Sequence, residues 1–170
     1  LRDAVVLIPD AHAVADVACA LRDAAATPAL LLPRITTLRL WAASVDLGKS
    51  VAPRAAREAL LYGALAGHAS LGDADRWAVC GELLALFDEL TRHTVTLPDD
   101  PCDFARMVER AYRARSNRSL DFEASLVHEL WRLMNRDARD LDAEAAYLLR
   151  LKRLSAHATA PVFVVGQRRF

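Results

Sequence analysis

Residues 30–43 read Leu-Leu-Leu-Pro-Arg-Ile-Thr-Thr-Leu-Arg-Leu-Trp-Ala-Ala, an uninterrupted apolar run that stops at a proline and becomes an amphipathic segment with two arginines. Positions 29–32 show no alternation of polar and apolar residues, which is typical of a strand covered by helices on both faces. Pro33 has no amide hydrogen to donate, so strand pairing is expected to stop there. We therefore predict a buried strand at 29–32, followed by a loop where α/β proteins commonly bind ligands.

Two other apolar runs are predicted to share a sheet with this strand. The first, at 4–8, ends at Pro9, and the last, at 161–165, ends at Gly166. Apolar residues recur at helical spacing between the first two strands, so a right-handed parallel β-α-β unit is expected. All three strands are predicted to be buried.

Helical patterns without a convincing strand fill the chain from residue 53 to residue 157. The predicted fold is therefore α/β, with a small parallel sheet of about three strands and a large all-helical insertion between strands 2 and 3. In this scheme residues 1–52 and 158–170 form a partial α/β core of helicase-like type. Residues 53–157 form the inserted helical subdomain.

Composition limits the classes of protein to which the chain could belong. Its 170 residues are 54% hydrophobic and 26% charged, which indicates a folded globular chain, and no apolar run approaches the roughly 18 to 20 residues that span a bilayer. Its 22 basic and 22 acidic side chains cancel, so any binding of nucleic acid must come from a local patch.

The widely spaced Cys19, Cys80 and Cys102 favour free thiols, and no signal peptide is visible, so a cytoplasmic location is expected. The chain begins at Leu1, and we expect it to be a piece of a longer protein.

Three motifs of the chain carry a family resemblance. They are Leu31-Leu32-Pro33-Arg34-Ile35-Thr36-Thr37-Leu38 followed by Trp41-Ala42, then Ala85-Leu86-Phe87-Asp88-Glu89-Leu90-Thr91-Arg92-His93, and Ala111-Tyr112-Arg113-Ala114-Arg115-Ser116-Asn117. Together they resemble the N-terminal, helicase-like region of AddB-type subunits, which belong to bacterial helicase–nucleases that repair double-strand breaks. The resemblance extends over nearly the whole chain.

This resemblance implies an inactivated motor domain and no cofactor in this part of the protein. Its implied role is to bind a duplex end or single strand of DNA and to act as a scaffold for a partner helicase subunit of AddA type. Binding to a membrane is not expected. A PD-(D/E)XK nuclease domain far downstream would then cut DNA in the parent protein, an ATP-dependent exonuclease. No catalytic residue is expected within these 170 residues.

Five arginines are the candidate contacts to DNA. Three of them recur at helical spacing, with Tyr112 nearby as a ring on which a base could stack. Pairing with Asp103 and Glu109 on a solvated helix face is the alternative interpretation of these three. The other two flank the loop predicted after Pro33. The five candidates are Arg34, Arg39, Arg106, Arg110 and Arg113.

The tripeptide Gly48-Lys49-Ser50 suggests a second hypothesis, in which the chain is a nucleotide-binding α/β domain that holds ATP near Lys49 and Ser50. The first glycine of a P-loop would fall at Ala43, and Pro53 follows where a helix should already have begun. A surface turn is therefore the simpler interpretation. A third hypothesis is a helical protein-interaction module with no role on nucleic acid.

Other polar positions give weaker signals. Asp10 follows the first strand, where backbone amides could meet a phosphate, but a helix-capping role explains it more simply. His128-Glu129 resembles the start of a zinc-protease motif, yet the position four residues on is Arg132, so no metal site is predicted. Gln167 stands after the last strand, where a working motor carries an acidic residue.

Overall fold

A computed structural model of the chain describes residues 2–25, 27, 29–68, 73–113, 118–136 and 140–166. Within them lie three β-strands and seven α-helices. The chain divides into two compact units. We call Leu1–Leu47 with Tyr147–Phe170 the sheet unit, and Gly48–Ala146 the helical unit.

The sheet unit is built on three short parallel strands. They are β1 (Val5–Leu7), β2 (Arg34–Thr36) and β3 (Val162–Val164). Their order is β2-β1-β3, and the central residue Val6 is paired with Ile35 on one side and Phe163 on the other. All three residues of β1 are buried. The predicted mixed α/β fold with a small parallel sheet of three strands is therefore confirmed.

The predicted position of the second strand was wrong. Residues 29–32 form no strand, and Leu31 is 68% exposed. Pairing begins where it was expected to stop, because the Arg34 amide donates to the Ala4 carbonyl at 3.0 Å. A proline is tolerated just before the first paired residue, and Ile35 and Thr36 are β-branched residues that favour strands over the leucines before them.

A short helix replaces the loop predicted after Pro33. Helix α2 (Leu38–Ala43) begins two residues beyond β2. Thr37 caps it, since its hydroxyl oxygen accepts a hydrogen bond from the Leu40 amide at 3.2 Å. The chain therefore passes from strand to helix through a single capping residue.

Strand β3 was also predicted to be buried, and this too was wrong. Val162, Phe163, Val164 and Val165 are between 40% and 56% exposed. The apolar run thus predicted a strand correctly but not its environment, because side-chain hydrophobicity cannot reveal which faces of an edge strand the rest of the chain covers.

The remaining helices of the sheet unit are α1 (Val14–Ala25), which follows a 3-10 helix at Ala11–Ala13, and most of α7 (Ala143–His157). Two arginines of α7 stabilise the segment that follows α2. Arg150 donates to the Val45 carbonyl at 3.2 Å, and Arg153 donates to the Asp46 carbonyl at 2.8 Å. These charged donors satisfy backbone oxygens that no regular element pairs.

The helical unit contains α3 (Arg54–Leu65), α4 (Asp73–Arg92), α5 (Pro101–Tyr112), α6 (Arg118–Arg136) and the first turn of α7. Its core joins α3, α4 and α6. The largest side chains of this core are Leu61, Leu65, Leu84, Phe87 and Leu130, each at most 1% exposed. None of the helices in the described ranges has the length and apolarity needed to cross a membrane.

The two ends of the helical unit lie side by side. Val51 and Leu141 form an isolated parallel bridge, in which the Ala52 amide donates to the Leu141 carbonyl at 2.9 Å and the Leu141 amide donates to the Ser50 carbonyl at 3.0 Å. The Ser50 hydroxyl also donates to the Asp140 carboxylate. The incoming and outgoing connections of this unit are therefore held together.

Candidate nucleic-acid interface

Helix α5 presents the predicted arginines on its solvent face. Asp100 caps the helix and Phe104 is its buried anchor. Arg106 and Arg110 are four residues apart, which places them within about 40° of each other around the helix axis. Arg113 follows directly at the C-cap in a left-handed conformation, with φ of 51°. All three arginine side chains are exposed, so we call them the α5 arginines.

The contacts that Arg106 and Arg110 make within α5 are weak enough to be replaced by contacts to a ligand. Arg106 donates to Asp103 at 3.0 Å, with 70% of the arginine side chain and 60% of the aspartate side chain exposed. Arg110 donates to the Arg106 carbonyl at 3.2 Å. An exposed ion pair of this kind contributes about 0 to 1 kcal/mol, so a phosphate could replace the Asp103 carboxylate at little cost.

Tyr112 does not share the face of α5 that carries Arg106 and Arg110. Its ring is 78% exposed. However, two residues along a helix correspond to a turn of about 200°, so Tyr112 leaves α5 on nearly the opposite side from Arg110. The expected combination of stacking ring and arginines is therefore not formed along one face of the helix.

Arg34 and Arg39, the other two predicted contacts, belong to the sheet unit, whereas α5 belongs to the helical unit. Arg34 is exposed at the start of β2. Arg39 is exposed on α2, and its guanidinium carbon lies 4.6 Å from the centre of the Tyr147 ring, a cation–π contact. This contact holds the Arg39 side chain against α7.

Gly48-Lys49-Ser50 forms the connection into the helical unit. Gly48 has a positive φ of 63°, which suits a turn. Helix α2 precedes the segment and α3 starts only at Arg54, whereas a phosphate-binding loop leaves a strand and opens a helix directly. Ser50, which would hold magnesium in such a loop, donates instead to Asp140. The geometry therefore gives Lys49 no helix N-terminus with which to bind a phosphate.

The loop after β1 is organised by Asp10. Its carboxylate accepts a hydrogen bond from the His12 amide at 2.9 Å, and the His12 ring nitrogen Nδ1 lies 2.8 Å from the same oxygen. The backbone bond from His12 lowers the pKa of Asp10, which stabilises the negative charge. An anionic carboxylate at this edge of the sheet disfavours a phosphate there. Gln167, which follows β3 in the sequence, lies outside the described residues.

His128 has a structural role. It is buried, its ring nitrogen Nε2 lies 2.8 Å from the Pro98 carbonyl, and its ring packs near Phe104 at 5.7 Å. The contact fixes the segment before α5 against α6. Within the described ranges no group of three histidine, cysteine or carboxylate side chains is arranged to hold a metal ion.

Sequence reasoning missed a cleft beside α6. Its volume is about 870 Å³, and its lining includes Pro98, Trp131, Arg132 and Arg136. Arg132 closes one wall by donating to the Asp99 carbonyl at 3.0 Å. Only the close spacing of Arg132 and Arg136 on one helix could have indicated it, and that spacing is common on solvated helices.

Neither a protein-family model nor a curated protein matches this chain. The AddB-type resemblance therefore stays a prediction that depends on the three sequence motifs.

Proposed function

We propose that the chain is a non-catalytic, helicase-like domain of an AddB-type subunit, which binds DNA and serves as a scaffold in the processing of double-strand breaks. The observation that carries this proposal is the exposed row of α5 arginines in a chain with no net charge. A local cationic surface on a neutral protein is what binding to a phosphate backbone requires.

The topology supports the helicase-like part of the proposal. A parallel sheet in which the chain leaves after β2, forms a large helical unit and returns as β3 has the layout that the resemblance implies. The central strand has neighbours on both sides, as in motor domains built around a parallel sheet.

The absence of catalysis is also part of the proposal. Strand β3 ends at Val164 and is followed by Val165 and Gly166, whereas a motor strand needs an acidic residue there to hold magnesium. Translocation and cleavage would belong to the partner helicase subunit of AddA type and to a nuclease domain of the parent protein.

Binding to a labelled duplex with a single-stranded tail, measured by fluorescence anisotropy over a series of salt concentrations, tests the proposal. Each neutralised phosphate contributes about −0.9 to the slope of log affinity against log salt. We expect the double substitution Arg106→Gln and Arg110→Gln to make this slope less steep by about 2 and to weaken binding for every DNA sequence alike.

Arg54→Gln is the matched control. Arg54 is an exposed helix arginine of the same unit and is paired with Glu58 at 2.8 Å, much as Arg106 is paired with Asp103. Its loss should leave affinity and slope unchanged. Equal losses in both variants, or a wild-type affinity that does not depend on salt, would contradict binding through α5.

A further inference from the structure

The solvent side of helix α3 carries no charge beyond its first residue. Along α3, which the structure describes throughout, every exposed residue after Arg54 is alanine, leucine or glycine. A helix that borders solvent normally carries charged residues on its outer face, as α5 does with its arginines. The outer side of α3 therefore has the composition of a surface that another element covers. Its exposed apolar residues are Ala55, Ala56, Ala59, Leu60 and Gly63.

Two stacked rings continue this apolar surface onto α4. The centres of the Tyr62 and Trp77 rings lie 4.4 Å apart, and the planes of the rings are inclined by 23°. Trp77 is 56% exposed although Tyr62 covers one side of its ring. Ala59 lies three residues before Tyr62 and Gly81 four residues after Trp77, so a small residue borders the stack on each helix.

Small residues recur every four positions on both helices. On α3 they are Ala55, Ala59 and Gly63, and on α4 Gly81 and Ala85 follow Trp77 at the same interval. A Cβ atom at Gly63 or Gly81 would meet no atom within 4 Å, so the surface above both positions is open. Residues four apart form a groove into which the ridge of another helix packs. We call these six residues the α3–α4 face.

Two glutamates border the α3–α4 face. Glu82 lies three residues before Ala85 and Glu89 four residues after it, which makes both of them surface neighbours of Ala85. Both glutamates are exposed, and neither forms an ion pair with a described residue. This border of the face is therefore negative.

The cations nearest to this border are already paired. Arg54 lies 2.8 Å from Glu58, and Arg92, at the end of α4, lies 3.4 Å from Glu144. The negative border disfavours a phosphate backbone. It also disfavours a second copy of the chain, because a two-fold contact through this face would bring the glutamates of both copies to one interface.

We propose that the α3–α4 face binds a basic amphipathic helix of a partner protein. The apolar ridge of that helix packs along the small residues, where close approach is possible. Glu82 and Glu89 are seven residues apart, which is about 10 Å along α4, so lysines or arginines two turns apart on the partner pair with both. This binding does not depend on the proposed contact between α5 and DNA.

Two synthetic peptides test the charge preference of this face. Each is a labelled amphipathic helix of about five turns with leucines three and four residues apart, and they differ only in having lysine or glutamate beside the leucines. In fluorescence anisotropy titrations with the full chain, we expect the glutamate peptide to bind about tenfold more weakly, because attractive contacts become repulsive ones. A lysine peptide that does not bind, or equal affinities for the two peptides, would overturn the proposal.

Charge reversal assigns this preference to two residues. The double substitution Glu82→Lys and Glu89→Lys should invert it, so that the glutamate peptide binds more tightly than the lysine peptide. Glu109→Lys with Glu129→Lys changes the net charge equally on α5 and α6, and it should keep the wild-type preference. The same inversion in both double variants would overturn the assignment to α4.

Ala59→Gln tests the close approach of the helices. Glutamine is a good helix former and Ala59 is exposed, so circular dichroism should show an intact fold. The larger side chain should weaken binding of the lysine peptide about tenfold. Ala111→Gln, at an exposed alanine of α5, is the control and should bind as the wild type does. Equal affinities in these two variants would contradict packing along α3.

Two further measurements separate this site from other occupants. Arg106→Gln with Arg110→Gln should leave peptide affinity unchanged, and its loss there would overturn a site that is independent of α5. Light scattering during gel filtration should give the mass of one chain, 18.7 kDa, for the protein without peptide. A wild-type dimer that is lost in Ala59→Gln would assign the face to a second copy and overturn the proposal.

Discussion

At the scale of single residues, the clearest energetic feature is a buried ion pair in the helical unit. Arg57 of α3 donates to Asp88 of α4 at 2.7 Å, and only 10% of the arginine side chain is exposed. Arg57 is one helical turn before Leu61 and two before Leu65, so it continues the face that packs into the core. A charged residue in a chain rich in arginine gives no sequence signal for such burial.

We expect Asp88→Ala to lower the free energy of unfolding by about 3 to 5 kcal/mol, because it leaves the Arg57 guanidinium buried without its partner. The double substitution Arg57→Met and Asp88→Leu should recover most of this loss, since no buried charge remains. Urea unfolding monitored by circular dichroism measures both. Arg54→Ala, which breaks the exposed pair with Glu58, should change stability by no more than about 1 kcal/mol. Equal losses in the free energy of unfolding for Asp88→Ala and Arg54→Ala would contradict the role assigned to burial of the Arg57–Asp88 pair.

At the scale of elements, helix α5 depends on its cap. The Asp100 carboxylate accepts a hydrogen bond from the Cys102 amide at 2.6 Å, and this bond lowers the pKa of Asp100 below its ordinary value. The unfolded chain therefore takes up the proton at a higher pH than the folded chain does. The stabilisation is present near neutral pH and is lost as the pH falls below about 4 toward the lowered pKa.

We expect Asp100→Ser to flatten the acid part of the stability profile, because serine keeps an oxygen that can cap the helix but has no carboxylate to protonate. The urea midpoint, measured in steps from about pH 6 to about pH 3, gives this profile. Asp99→Asn removes a neighbouring carboxylate and leaves the cap in place, so it should retain the contribution of Asp100. An unchanged slope in Asp100→Ser would contradict the role of the cap.

The elements differ in how well their positions could be predicted from the sequence. Helix α4 (Asp73–Arg92) lies within the stretch that was predicted to be helical, because apolar residues recur there over many turns. The predicted position of β2 was wrong because the run of leucines before Pro33 is the more apolar segment, whereas the β-branched Ile35 and Thr36 favour the strand. The common face of Arg106 and Arg110 could be predicted from their spacing of four residues, whereas the left-handed backbone of Arg113 at the end of α5 could not. Tyr112 was expected near these arginines because it is close to them in sequence. The rotation of about 100° per residue in a helix instead directs it away from Arg110.

At the scale of the whole molecule, the parallel sheet and the helical insertion could be predicted from the order of apolar patterns. The exposure of β3 could not be, because it depends on which elements cover each face of the sheet. The pairing of Val51 with Leu141 could not be predicted either, since a single bridge between residues 90 positions apart leaves no periodic pattern in the sequence.

We expect the sheet unit to fold without most of the helical unit. Replacing residues 52–140 with a Gly/Ser linker of about six residues should preserve cooperative unfolding, because such a linker spans two adjacent chain segments at small entropic cost. Thermal unfolding and amide hydrogen exchange of β1 provide the measurement. A shortened chain whose β1 amides exchange without protection would contradict the independence of the sheet unit.

The Val51–Leu141 bridge also determines how the molecule responds to mechanical tension. A force along the backbone enters and leaves the helical unit at its two connections, and there the bridge joins them directly. Its hydrogen bonds must break before the pull extends any of the enclosed helices. The bridge would in this way shield residues 52–140 from strain with one pair of backbone contacts.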